Sequence, residues 1–172
     1  MPTHDPLLVQ LSAVQKLWSE EAAVRLSGLL RSVVHVIPIA CRPLSLSRAR
    51  ARLADVSAAF EFLLVAGGWQ GRGIADMDIP LAFAVVDRLL GGPGSRGSQQ
   101  RSLTDIERQV LQRVFSEAGK LLQGVLARLT PLQVMWLKER PVPLADRVEV
   151  DQPGLEWVFN VRFVDLSGGL RL

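Results

Sequence analysis

The chain runs twice through one succession of signals, and that near-repeat limits its fold more than any single segment does. From Pro6 to Val33, apolar residues recur at threes and fours: Leu7, Leu11, Val14, Trp18, Ala22, Leu26 and Leu29 or Leu30. That spacing predicts a long amphipathic helix. The β-branched run Val33–Ile39, bounded by Pro38 and Pro43, predicts a strand near a sheet edge. A short arginine-rich helix is expected over 45–54. Phe60, Phe62 and Leu64 then alternate with Glu61, Leu63 and Val65 up to Gly67-Gly68, a hairpin signal, with Trp69–Met77 as the return strand. The second pass opens with a helical stripe from Asp105 to about Leu129, running from Ile106 through Val110, Leu111, Val114, Phe115, Ala118, Leu121, Leu122, Val125 and Leu126. Gly119 and Gly124 each cost such a helix roughly 1 kcal/mol against alanine, so close backbone packing is expected at both. Pro131 ends it, and Leu132–Leu137 reads as a strand. After a proline-containing excursion (Arg140–Asp146) and Val148–Val150, the alternation of Leu155, Trp157, Phe159, Val161 and Phe163 predicts a half-buried antiparallel strand. Gly168-Gly169 is expected to turn it back into Leu170–Leu172. FEFLLVAGGWQG (60–71) thus sits beside VRFVDLSGGLRL (161–172) at an offset of 101.

Between the halves lies DIPLAFAVVDRLLGGPGSRGSQQRSLTDIE (78–107). Asp78 can cap a helix over 79–90, and Pro80 suits its first turn, where a missing N–H costs nothing. Gly91 and Gly92 stop it, because glycine takes the left-handed position after a helix without a Cβ clash. Thr104 and Glu107 form a T-x-x-E capping box that restarts the helix. The connecting loop has no apolar side chain, so it is expected outside the core, either as an inert connector or as a contact surface. Gly94, beyond the cap, is expected to tolerate substitution.

The 172 residues suit one domain, and 48% hydrophobic against 22% charged residues excludes disorder. A single cysteine, Cys41, rules out an internal disulfide or a CxxC site, and points to a reducing, cytosolic setting. No apolar run approaches the roughly 18–20 residues a bilayer requires. Residues 25–130 carry fourteen Lys/Arg against eight Asp/Glu. Even so, Arg48, Arg50 and Arg52 would diverge around a helix and have no interleaved aromatics, so no nucleic-acid partner is expected. His4 and His35 have no carboxylates at ligand spacing, so no metal site is expected. Gly92, Gly94 and Gly97 spell GxGxxG, but a helix precedes them and a polar loop follows, which is the wrong context for dinucleotide binding. Read as a phosphate loop, Gly92–Ser98 has serine where the lysine belongs. No GxSxG is present. The residues predict neither an enzyme nor a cofactor.

LAFAVVDRLLGGPG, RSLTDIERQVLQRV and PLQVMWLKE, in that order, resemble the middle domain of the flagellar motor-switch family FliM, over about Val24 to Leu172. The resemblance implies a three-layer α/β/α, CheC-like sandwich with internal pseudo-twofold symmetry, a largely antiparallel sheet and long flanking helices. It implies a scaffold in the cytoplasmic rotor ring that binds a FliG-like protein and neighbouring FliM-like subunits, with Gly91, Gly92, Pro93 and Gly94 as the FliG-type contact. A FliN-like protein and phosphorylated CheY are further partners it implies. The location implied is cytoplasmic, on the inner face of the membrane at the flagellar basal body, with membrane association only through the motor. The family's CheY-binding peptide has no match in MPTHDPLLVQLS, and no FliN-like domain follows, so residues 1–172 read as the middle-like domain alone. The first hairpin is followed by the helix over 79–90 and the second by nothing, so a longer product is expected. Two alternatives remain: a cytoplasmic sorting-platform component of a type III secretion system, and a CheC-like CheY phosphatase. The latter needs a helical Glu-x-x-Asn pair, whereas the one asparagine, Asn160, lies in a predicted strand.

Overall fold

Helix α1 spans Pro6–Leu30 and presents Val14, Trp18, Ala22, Leu26 and Leu30 to the interior, while Leu7 lies exposed near its start. In the computed structural model, residues 5–53, 58–66, 68–94, 101–128, 133–136 and 153–172 are described. The remaining elements are β1 (Val34–Pro43), α2 (Leu46–Ala51), β2 (Ala58–Ala66), β3 (Trp69–Met77), α3 (Ile79–Leu89), α4 (Asp105–Leu126), β4 (Gln133–Trp136), β5 (Leu155–Phe163) and β6 (Leu166–Arg171). The expected α1 overran by a turn: Arg31 takes a left-handed conformation and donates to Ser27 O, ending the helix, and Val33 is exposed outside any strand. The excursion over 140–146 and the strand over 148–150 lie outside the described residues, as do Gly67, His4 and residues 95–100.

The six strands form one sheet in the order β1-β5-β6-β3-β2-β4, each described pairing antiparallel. Exchanging β1 with β4, β2 with β5 and β3 with β6 leaves this order unchanged. The near-repeat is therefore a pseudo-twofold whose axis passes between β3 and β6. Each half lends its first strand to the other: β1 pairs with β5, and β4 pairs with β2. Helices α1, α3 and α4 cover one face. Trp18 packs on Phe159 with ring centroids 4.7 Å apart, and Phe60 on Phe115 at 4.6 Å. The short α2 lies on the other face, where Arg50 reaches Glu61, whose neighbours Phe60 and Phe62 point into the core. That gives the expected three layers. Pro38 sits at an irregularity in β1, an edge of the described sheet, where a missing N–H is tolerated.

Three local expectations give way. The second hairpin does not turn at Gly168-Gly169. It turns at Val164–Asp165, with Phe163 opposite Leu166 and Val164 at φ 53°. The halves therefore superpose at an offset of 97, with Ala58–Ala66 matching Leu155–Phe163, rather than 101. Gly168 and Gly169 lie within β6 because α3 crowds them. A Cβ on Gly168 would stand 2.8 Å from Leu81 Cβ, and Gly169 N–H donates to Asp78 Oδ2 at 2.6 Å. Asp78 is the N-cap residue of α3, but its carboxylate is used on β6 instead of on its own helix. Secondly, α4 ends at Leu126, and Ile106 in its first turn is exposed, clear of the stripe. Thirdly, Gly124 has open space around it, so only Gly119, which is buried beside the Ala118 carbonyl that accepts from the Trp18 indole, fits the close-packing expectation.

The arginines of α2 are tied inward. Arg50 pairs with Glu61 at 2.7 Å, and Arg42 and Arg52 converge on the buried Glu156. Of Arg48, Arg50 and Arg52, the last two are thus paired with carboxylates of the protein itself.

Candidate partner-binding loop

The loop after α3 is built by three sets of hydrogen bonds. Gly91 takes φ 95°; its N–H donates to Arg88 O at 3.2 Å, and Gly92 N–H to Asp87 O at 2.8 Å. This paired arrangement is the Schellman stop, which needs a residue free to adopt positive φ at Gly91. The Asp87 carboxylate then bends forward to accept from Gly94 N–H at 2.8 Å, and it fills the space a Gly92 side chain would need. Arg88 is the third fastening. Its guanidinium donates to Leu30 O, Arg31 O and Gly92 O at 2.9, 2.9 and 3.2 Å. One side chain so joins the last carbonyls of α1 to the loop leaving α3.

The four glycine-loop residues are not equivalent. Gly91 and Pro93 are exposed and Gly92 is half-buried, whereas Gly94 is buried at φ 79°. A Cβ on Gly94 would meet the Phe163 ring at 3.2 Å. The expectation that Gly94 tolerates substitution therefore fails, and that residue belongs to the core. Nothing in the sequence marked it, because Phe163 reaches it from the other half of the chain.

The far end of the loop is equally fixed. Arg101 lies over the Phe83 ring at 4.6 Å and makes two 2.7 Å bonds to the Glu107 carboxylate. Thr104 and Glu107 close the expected capping box. Held chiefly by Arg101, then by the Thr104 amide and hydroxyl, Glu107 titrates at about 2, well below the usual carboxylate range.

Around the loop, three large apolar side chains from different elements stand exposed: Leu90 at the end of α3, Val33 after α1, and Val164 in the β5–β6 turn. The Arg88 bonds, the Gly94–Phe163 approach and the pairing of Val34 with Phe163 bring them to one end of the molecule. Spacing alone could not reveal that convergence. Among the described residues no cluster of His, Cys, Asp and Glu could hold a metal ion, and no helix is long and apolar enough to cross a membrane.

The sequence model of the family described as flagellar motor switch protein FliM matches residues 8–171. The chain belongs to the FliM family. A curated relative, the flagellar motor switch protein FliM of Treponema pallidum (strain Nichols), is 29% identical over 105 residues, which is 61% of this chain and 30% of that protein. The chain thus spans under a third of that FliM relative in the matched region. Among solved structures, FliM in the FliG–FliM complex from H. pylori aligns with TM-score 0.84 at 18% identity, covering 98% of this chain and 93% of that one. The FliM middle domain from H. pylori gives 0.81 at 16%, covering 98% and 91%. At such identities these two establish a shared fold. Within this shared fold, Gly91 and Pro93 are exposed and Gly94 is buried.

Proposed function

We propose that this protein is a structural component of the flagellar motor switch, standing in the cytoplasmic rotor ring beside neighbouring FliM-like subunits and binding a FliG-like protein for torque transmission and direction switching. The observation that carries the reading is the pre-formed loop. Three fastenings fix the backbone of Gly91–Gly94 before any partner arrives, so little conformational freedom is lost on binding. The exposed Leu90, Val33 and Val164 beside it supply the apolar area that a polar loop lacks. A solved relative of the same fold is a FliG–FliM complex, which favours FliG as the partner class. The site is Gly91, Gly92 and Pro93 with their apolar border, and Gly94 is its support. Attachment at the inner face of the membrane comes through the motor and not through this chain.

A non-enzymatic role fits the same geometry. Asn160 sits on β5, its side-chain oxygen accepting from Arg162, and the residue three before it is Trp157. That strand offers no helical Glu-x-x-Asn pair to place an attacking water, and nothing on the site favours the phosphatase reading over the scaffold.

Titration calorimetry against a FliG middle domain tests the proposal. Pro93→Glu puts a charge on the exposed rim without touching the helix stop, and should weaken binding tenfold or more, about 1.4 kcal/mol, with an unchanged melting curve. Arg48→Glu, on the exposed side of α2, serves as the control and should bind like the parent. Parent-like binding by Pro93→Glu would place the contact elsewhere.

A further inference from the structure

Among the described residues, two other than glycine take a left-handed backbone: Arg31 at φ 48° and Val164 at φ 53°. Arg31 has a local account. It ends α1, where its N–H donates to Ser27 O and its carbonyl accepts from Arg88. Val164 ends no helix. It opens the two-residue turn that joins β5 to β6, with Phe163 opposite Leu166. Of the two turn residues Val164 alone has positive φ, a pattern whose first position is ordinarily glycine. A β-branched residue is poorly suited to it, because the branch at Cβ crowds the adjoining backbone.

The pseudo-twofold supplies an internal comparison. At the offset of 97, Val164 and Asp165 correspond to Gly67 and Gly68. The flanking strands correspond as well, Ala66 lying opposite Trp69 as Phe163 lies opposite Leu166. One half of the chain therefore carries Gly-Gly at this turn and the other carries Val-Asp. The valine side chain does not offset its strain inside the protein. It is 54% exposed, and it belongs neither to the core nor to the partly buried residues packed against the core.

The neighbouring strand repeats the pattern. The β1–β5 register pairs Val34 with Phe163, and one step further sets Val33 at the position opposite Val164. Val33 is 70% exposed and lies outside the same apolar cluster. Two β-branched apolar residues from separate elements thus share one register position at the tip of the sheet. The approach of Gly94 to the Phe163 ring ties that tip to the glycine loop. Exposed apolar residues scattered singly are ordinary, whereas a converging set at a strained turn points to a contact.

We propose that Val164, with Val33 beside it, is a specificity-determining contact that seats in an apolar depression on the FliG-like partner, and that the left-handed backbone at Val164 lowers fold stability to present it. The inference rests on the proposed function and adds a second limb to that contact. Gly91–Pro93 supply close backbone approach, and the sheet tip supplies apolar area to be removed from water. The partner surface that fits is apolar where it meets the sheet tip.

Stability and binding should move in opposite directions at this one position. Val164→Gly removes strain and side chain together. Its melting temperature should rise by about 2 °C, even after the extra freedom glycine gives the unfolded chain. Its affinity for a FliG middle domain should fall tenfold or more in titration calorimetry. Val164→Thr keeps the branched Cβ and the strain but exchanges a methyl for a hydroxyl. It should melt with the parent and still lose several-fold in affinity. Val33→Ser should weaken binding without any rise in melting temperature. Parent-like affinity in Val164→Gly would overturn the inference, and so would a melting temperature at or below the parent's. Pro93→Glu, measured alongside, separates the two readings: if it weakens binding and Val164→Gly does not, the loop contact stands and the sheet-tip contact falls. If neither weakens binding, or the parent binds no FliG middle domain, both fall. Sedimentation of the same variants tests the other occupant. Self-association of the parent that Val164→Gly abolishes, with FliG binding intact, would assign the tip to a neighbouring subunit and overturn the inference.

Discussion

Alanine placed at two glycines should move stability in opposite directions, and the structure sets both magnitudes. At Gly94, alanine must hold φ 79°, which costs an L-residue roughly 1–2 kcal/mol. Its Cβ would also stand 3.2 Å from the ring of Phe163, a fully buried side chain that must give by a few tenths of an ångström. Such overpacking costs about 1 kcal/mol at the mild end of its range. Reduced freedom of the unfolded chain returns roughly 0.4–1 kcal/mol. The net expectation for Gly94→Ala is a loss of about 2 kcal/mol. Gly124 is the opposite case: an exposed position in α4 with nothing within 4 Å of a Cβ. Alanine there improves helix propensity and should stabilise by about 0.5–1 kcal/mol. With a urea slope of about 2 kcal/mol per M, the midpoint should fall by about 1 M for Gly94→Ala and rise by a few tenths for Gly124→Ala. Urea titrations followed by circular dichroism measure both. A Gly94→Ala midpoint at or above the parent's would refute the placement of that loop residue in the core, and Gly124→Ala below the parent would refute the open space on α4.

Acid should reveal the capping box. The Glu107 pKa is depressed to about 2 in the folded protein, so its contribution is complete above its ordinary value near 4.5 and is lost as pH falls towards 2. Glu107→Gln should therefore lower the melting temperature at pH 7 and flatten its decline over that window, in thermal melts run across pH. Arg88→Ala removes the three donors joining α1 to the loop; it should cost about 1–3 kcal/mol and weaken FliG binding, and Arg88→Lys, with one compact charge, should not restore either in melts and calorimetry. Glu156→Gln leaves Arg42 and Arg52 facing a neutral amide and should destabilise β5 against α2, read as faster hydrogen exchange in β1 and β5 with α4 unaffected.

What the sequence could reveal was local. The Thr104–Glu107 box, the glycine stop at Gly91 and the alternation along β2 and β5 each depend on residues within one or two turns of one another, and each formed where the spacing placed it. Failures came where a distant partner decided. Gly168-Gly169 looked like a turn, but its glycines answer to Leu81 and Asp78 of α3. The true turn uses Val164 at positive φ, a conformation a β-branched residue rarely adopts. Gly94 looked like loop because the ring that covers it belongs to β5. The candidate site was legible as four adjacent residues, whereas its division into outward Gly91 and Pro93 and inward Gly94 was not. Nor was its apolar border, since Val33, Leu90 and Val164 meet only once the chain has folded.

The exchange of first strands between halves makes this single chain a dimer in disguise. With β1 seated in the second half and β4 in the first, neither half possesses a complete sheet of its own. A break in the connection between α3 and α4 would cut the covalent link without cutting the architecture, because the two pieces stay laced through both ends of the sheet. Neither piece should fold alone, and the two together should reassemble. Carrying both halves on one chain replaces a concentration-dependent encounter between them with a short tether.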